Sequence, residues 1–347
     1  MKADPILTTQ GRNWRQVLSA YQQPVLWRSI VEIIITAAPL VAIWVGAWFA
    51  VAFGYWWLGL LLAPLAAAFV VRLFMVQHDC SHQAFFKSAA ANNWTGRIVG
   101  ALTLTPYHCW RRSHAIHHAS SGNLDRRGLG DIKTLTTAEY QALGFWGRLG
   151  YRAFRHPLVL FVIGPAWVFL IEQRLPKGLM REGWKPWVSA MGTNAVVGVL
   201  VVAAIWLGGW KGLLLVHLPT MVIAASIGVW LFYVQHQFEE TYWARHGEWQ
   251  PVDAAFHGSS HYDLPAPLRW MTANIGVHHV HHVSSKIPFY QLNRVLKDNP
   301  ELKAVSRLTL KDSIRCVALT LWDEDERRLV SFRQFHRKER ALALARA

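Results

Sequence analysis

Apolar and polar positions along this chain come in long blocks. Ile30 to about Phe53 is apolar with Glu32 as its only charge, and after Gly54 a second run, Tyr55 to Val76, carries only Arg72. Two more follow, Val188 to Trp206 and Leu213 to Gln235, with a tight Gly-Gly-Trp-Lys-Gly link between them. A helix crosses ~30 Å of hydrocarbon with ~20 apolar residues, so each block is long enough to span a membrane. The links are too short for domains, so the blocks pair into two hairpins, 30–76 and 188–235. Pro39 and Pro64 are tolerable inside such helices, because neighbouring groups re-satisfy the freed backbone.

The intervening segment 77–187 is polar and basic, with 14 Lys or Arg against 6 Asp or Glu. The positive-inside rule places it on the cytoplasmic side. Segment 236–347 is polar again and ends in a basic tail of Arg333, Arg337, Lys338 and Arg340. Residues 1–29, with Arg12, Arg15 and Arg28, read as a cytoplasmic arm or short interfacial helix, and 121–139 as a loop. No cleavable signal peptide is expected. Pro157 to Ile171 is apolar but short and interrupted by Gly164 and Pro165, so it is assigned to the interface or a re-entrant position. An even number of crossings then separates the two polar segments. The expected fold is all-α: one integral-membrane domain, four transmembrane helices in two hairpins, and a cytoplasmic helical cap.

Composition agrees. Hydrophobic residues make up 52% and charged residues 16%, a low charge content for a soluble protein. The nineteen Trp suit membrane–water interfaces, where one edge is apolar and the N–H is wet. The formal charge of +15 comes without a nucleic-acid motif, so no nucleic acid is expected. Membrane lipids with anionic headgroups and an acidic protein partner are the expected targets. Cys80, Cys109 and Cys316 are scattered and form no C-x-x-C pair, which argues against a disulfide framework or a cysteine zinc site. Cys80 points to a reducing compartment.

The chemistry lies in histidine spacing. His114, His117 and His118 stand at i, i+3 and i+4, which share one helical face. His278, His281 and His282 repeat that spacing, and His78 and His82 stand at i, i+4. His236 closes the last apolar run as a ninth candidate ligand. Neutral imidazole suits iron, zinc, copper and nickel. A tetrahedral zinc takes about four ligands, so nine imidazoles fit two ions with positions left open for O₂ or water. His279 points off its neighbours' face and is left out. His108, His156, His217, His246, His257 and His336 read as isolated interfacial polar residues, and His261 as an adjacent extra. Asp79, Asp125, Asp131, Asp263 and Asn274 are candidate partners for the imidazoles' second ring nitrogens, with capping or surface solvation as the competing role for each.

These residues resemble a known family. His78-Asp79-Cys80-Ser81-His82, Trp110 to His118, and Asn274 to His282 running on to Ile287-Pro288-Phe289-Tyr290 resemble the three histidine boxes of integral-membrane fatty acid desaturases. The resemblance covers roughly residues 30–300. The compact first box, the Gln235-His236 pair and the Ser259-Ser260-His261-Tyr262-Asp263-Leu264-Pro265 stretch lean toward the bacterial and plant Δ12/ω6 branch. It departs at His108, where an acidic or aromatic residue is expected, and at Gln235-His236, which differs from the Asn-containing version in acyl-CoA Δ9 enzymes. The resemblance implies two iron ions on the cytoplasmic side of a bacterial inner membrane and O₂ as co-substrate. It implies a cis double bond placed in an acyl lipid, acyl-CoA or acyl-carrier-protein substrate. It also implies electrons from ferredoxin or cytochrome b5. No fused cytochrome b5 domain is expected. Two rival classes share features of the pattern. A hydroxylase or ketolase of alkanes or carotenoids would retain oxygen. A membrane metal transporter or buffer would line its spans with ligands, whereas these clusters flank them.

Overall fold

The computed structural model describes residues 13–346; Arg12 of the basic arm lies outside them. Helices α1 (Leu26–Ala52) and α2 (Trp56–Ser81) form a first apolar pair. Helix α3 (Tyr107–Ser120) follows in the polar region. Helices α4 (Trp184–Leu207) and α5 (Gly209–His236) form a second apolar pair. All four are long and apolar enough to cross a membrane. The first link turns at Gly54 with φ +93° and the second at Gly209 with φ +76°, conformations that a side chain would strain. Buried residues make up 61% of the apolar window of α2 but 6% of that of α4. Helix α2 is therefore the centre of the bundle, and α4 offers its sides to lipid. Trp27, Trp56, Trp57, Trp184, Trp206 and Trp210 are exposed near span ends, where an indole can keep its N–H wet.

The two charges inside the first hairpin are buried together. Arg72 donates to Glu32, to Thr36 Oγ1 at 3.1 Å and to the Trp270 carbonyl. Its guanidinium lies 4.0 Å from the Trp270 ring centroid. Arg28 reaches Glu32 at 2.8 Å from the exposed side. This knot ties α1 to α2 and to the short helix Ala266–Met271.

The short apolar stretch after Pro157 is a broken helix. Phe145–Phe154 and Val159–Arg174 meet at 60°. Val159–Ile163 is wound as a π-helix just before Gly164 and Pro165. Pro165 has no N–H to donate, and the turn before it opens. The N-terminal segment holds a helix, Trp14–Ser19, whose Trp14 and Leu18 are buried in the main core.

The cap is mostly helical and adds five short strands that the sequence did not signal: β1 (Leu135–Thr136), β2 (His261–Asp263), β3 (Arg307–Thr309), β4 (Leu319–Asp323) and β5 (Arg328–Ser331). Strand β4 pairs β1 in parallel and β5 antiparallel, while β2 and β3 pair in parallel. Strands of two to five residues are too short to display an alternating pattern. They tie residues 135–136 to the C-terminal segment and residues 261–263 to residues 307–309.

Candidate metal centre

The histidines reach one place from four elements. The last turn of α2 carries His78, and His82 caps its end. Helix α3 carries His114, His117 and His118, and α5 ends at His236. Helix α6 (His278–Val283) carries the last three. Helices α2 and α5 both run toward the same end of the bundle, so their terminal histidines meet there.

The nine imidazoles sort into two groups. His78, His82, His114, His118 and His281 form one, and His117, His236, His278 and His282 the other. Within each group the candidate ligand atoms all lie within 4.8 Å of one another. Helical geometry sets the division. Each i, i+4 pair (78/82, 114/118 and 278/282) stacks on one face and stays together. The i+3 members, His117 and His281, diverge around the helix and cross to the opposite group. The groups adjoin where His118 stacks on His282, with ring centroids 4.1 Å apart.

Hydrogen bonds show what the groups are built to hold. His117 Nδ1 donates to Asp131 Oδ1 at 2.6 Å, and His236 Nδ1 donates to the Gly258 carbonyl at 3.0 Å. When each ring carries a single N–H, both Nε2 atoms present lone pairs. They face each other at 3.1 Å. His278 Nε2 lies 3.0 Å from His236 Nε2 and 3.1 Å from His282 Nε2. Lone pairs converging in a buried site repel one another unless a cation accepts them, and the all-nitrogen donor set suits a transition metal. In the first group His78 Nδ1 meets Asp79 Oδ1 at 3.0 Å. Asp79 is itself fixed by the Phe289 N–H at 2.6 Å. Burial first, and then neighbouring imidazoles, push the pKa values of His114, His118, His278, His281 and His282 well below the ordinary histidine value. The rings are thus kept neutral, as ligands must be.

Two of the five proposed carboxylate or amide partners touch an imidazole. Asp131 and Asp79 do. Asp125 instead pairs with Arg245 at 2.8 Å and accepts from the His246 N–H. Asp263 pairs with Arg307 at 2.7 Å. Asn274 donates to the Phe289 carbonyl and accepts from Asn293 Nδ2 at 2.6 Å. For these three, a basic or backbone partner in the cap outcompetes the cluster. The Gly258 carbonyl was invisible to sequence reasoning, because a backbone acceptor has no residue-type signal. Asp131→Asn keeps the shape and loses the charge opposite His117 Nδ1. It is expected to lower metal affinity or turnover ~10- to 100-fold, read by metal content per chain and product yield.

The remaining histidines lie outside both groups. His279 is buried, its Nε2 donates to the Leu302 carbonyl at 2.9 Å, and its pKa is pushed down to about 3 by burial. His261 Nδ1 meets the Lys303 carbonyl at 2.8 Å. His108 is partly exposed, and its backbone N–H donates to Ser189 Oγ at 3.1 Å. His156, His217, His246, His257 and His336 are likewise in neither group. Unfolded, His279 and the five clustered rings above with lowered values titrate near pH 6.5. The unfolded chain therefore takes up protons that the buried rings refuse as pH falls below that value. The metal-free fold is expected to hold its full stability above about pH 6.5 and to lose it progressively toward pH 3, which thermal unfolding in detergent at several pH values measures.

An apolar cavity of about 300 Å³ meets the groups at His78, His114 and His278. Its walls come from α2, α5 and the broken helix, including Val71, Phe74, Phe169 and Phe232. Trp110 forms part of the wall and stacks on His114, centroids 4.4 Å apart at 19°. That volume lies within the range of ligand sites.

Fold and site together define an integral-membrane enzyme that brings a two-part imidazole centre against an apolar cavity. A family model described as fatty acid desaturase matches residues 55–306. The chain is 44% identical over 333 residues to a fatty acid desaturase of Bacillus subtilis (strain 168), covering 96% of this chain and 94% of that one. It is 30% identical over 238 residues to an sn-1 acyl-lipid omega-3 desaturase (ferredoxin) of Synechocystis, covering 64% and 62%. An sn-1 oleoyl-lipid 12-desaturase of the same organism is 28% identical over 267 residues, covering 73% and 70%. The chain belongs to the fatty acid desaturase family. That membership sets aside the reading as a metal transporter or buffer.

Proposed function

We propose that this protein is an O₂-dependent desaturase of acyl chains carried by membrane lipids, with two iron ions held by the nine imidazoles. The observation that carries this reading is the contact between both imidazole groups and a cavity walled by membrane-spanning helices. Two redox-active metal ions there supply the O₂ activation needed to remove hydrogens from unactivated carbons, which redox-inert zinc does not. The protein's residues supply positioning. The apolar walls exclude water and hold two adjacent methylene groups beside His78, His114 and His278. Asp79, Asp131 and the Gly258 carbonyl hold three rings in the tautomer that turns Nε2 inward.

The acyl-lipid substrate is supported by the names of the Synechocystis and Nostoc relatives, which also specify ferredoxin. The 12-desaturases among the relatives support a bond at Δ12. The basic polar segments support a site on the cytoplasmic side of a bacterial inner membrane. One double bond consumes one O₂, two electrons and two protons and releases two waters, so an external carrier must deliver the electrons. The +15 charge favours an acidic one, whether ferredoxin or cytochrome b5. Coupling to ferredoxin is expected to weaken steeply as ionic strength rises and the Debye length shrinks from ~30 Å to ~8 Å. Turnover that ignores salt counts against an electrostatic dock.

Expression in a host lacking polyunsaturated lipids, followed by fatty-acid analysis, tests the function. Products that have lost two hydrogens, in intact lipids, support it, and the bond position tests Δ12. Products that have gained an oxygen identify a hydroxylase.

A further inference from the structure

The cavity extends well past the imidazoles. Helix α5 lines it from Gln235, beside the metal groups, to Met221, about 21 Å of helix at 1.5 Å per residue. The lining positions 221, 224, 225, 228, 232 and 235 share one face. Phe232 is bulky; beyond it the face carries Gly228, flanked by Val229 and Leu231, then Ala225, Ala224 and, at the far end, Met221, with Val70 of α2 also lining this arm.

Gly228 is the point where this wall is missing. A Cβ placed there meets no atom within 4 Å. The backbone does not require glycine, since the residue sits inside α5 and is not among the positive-φ residues. In a helix, glycine costs about 1 kcal/mol relative to alanine. Nor does close packing require it. A Cβ at Gly59 would stand 2.8 Å from Val51, and one at Gly96 would collide with Tyr107. Those glycines let neighbours approach, whereas the space at Gly228 belongs to the cavity.

We propose that Gly228 sets how much of the acyl chain lies beyond the reacting carbons, and thereby governs which chain lengths and bond positions the enzyme accepts. The proposal rests on the acyl-lipid reading above. A polar headgroup loses its hydration in an apolar arm, so the methyl end is the end that enters. Gly228 stands eight residues before His236, about 12 Å along the helix. A large side chain there closes the arm at that depth and leaves the imidazoles untouched.

The test uses the full chain, expressed in a host fed saturated and monounsaturated chains of several lengths, as wild type and as Gly228→Ala, Gly228→Val and Gly228→Leu. The readout is the number of carbons between the new double bond and the methyl end. Gly228→Leu is expected to lower that number by about four, because an added side chain displaces its own volume in a close-packed interior. Gly228→Val falls between, Gly228→Ala stays close to wild type, and metal content stays unchanged throughout. An unchanged number in every active variant overturns the proposal. So does complete loss of product across the series, since one methyl group cannot close the arm. If wild type itself places no new double bond in any of the fed chains, it is the acyl-lipid reading that has failed.

Discussion

Replacing His278 with alanine is expected to remove one of two bound metal ions and to abolish desaturation, a loss greater than the ~100-fold that follows when an imidazole's supporting partner is removed. His278 Nε2 lies 3.0 Å from His236 Nε2 and 3.1 Å from His282 Nε2, at the middle of a group of only four. No other side chain in that group can take its place. The adjacent His279→Ala is the contrast. Its ring is as deeply buried but is bonded to the Leu302 carbonyl, away from both groups. It should retain both ions and lose stability alone, by the ~1–3 kcal/mol of an orphaned buried acceptor and a small cavity. Metal analysis and product yield on the two variants read the difference. Equal effects at both positions would mean that proximity in sequence, and not the convergence of Nε2 atoms, decides ligation.

The second large effect is expected far from the chemistry. Glu32→Gln leaves Arg72 buried and charged inside the first hairpin with its counter-ion gone. Breaking such a pair costs about 3–5 kcal/mol. The double variant Glu32→Gln with Arg72→Met removes both charges and should recover much of that loss, because the cost comes from the stranded charge. Thermal unfolding in detergent measures the cycle. A double variant as unstable as the single one would show that packing of Arg72 against Trp270, 4.0 Å from guanidinium to ring centroid, dominates. Arg72 also bonds the Trp270 carbonyl, only a few residues before α6. Loosening it should therefore lower metal retention as well as stability.

The parts legible in the sequence were those written as periodicity. Four long apolar runs are visible because a membrane-spanning helix must be apolar throughout. The three histidine clusters are visible because i, i+3 and i+4 share a face. The partition into five and four was not legible. It depends on how α3 and α6 are rotated against α2 and α5, and spacing within one helix does not report rotation between helices. The supporting partners were half legible. Asp79 and Asp131 were found because they lie close to the clusters in sequence, but so do Asp125, Asp263 and Asn274. For Asp125 and Asp263 the deciding fact was an arginine elsewhere in the chain, Arg245 and Arg307 respectively. The break at Gly164-Pro165 was readable as a break, but not its 60° bend, which packing sets. Nothing in the sequence marks Gly228, because the open space beside it is set by how the helices pack around the cavity.

The most direct test of the account is to count iron in a purified preparation of known specific activity and to repeat the count in His278→Ala. Two irons per chain in the active protein, falling to one in the variant together with activity, is the predicted result. Full activity with one iron or none per chain, or a variant that keeps both, would contradict it.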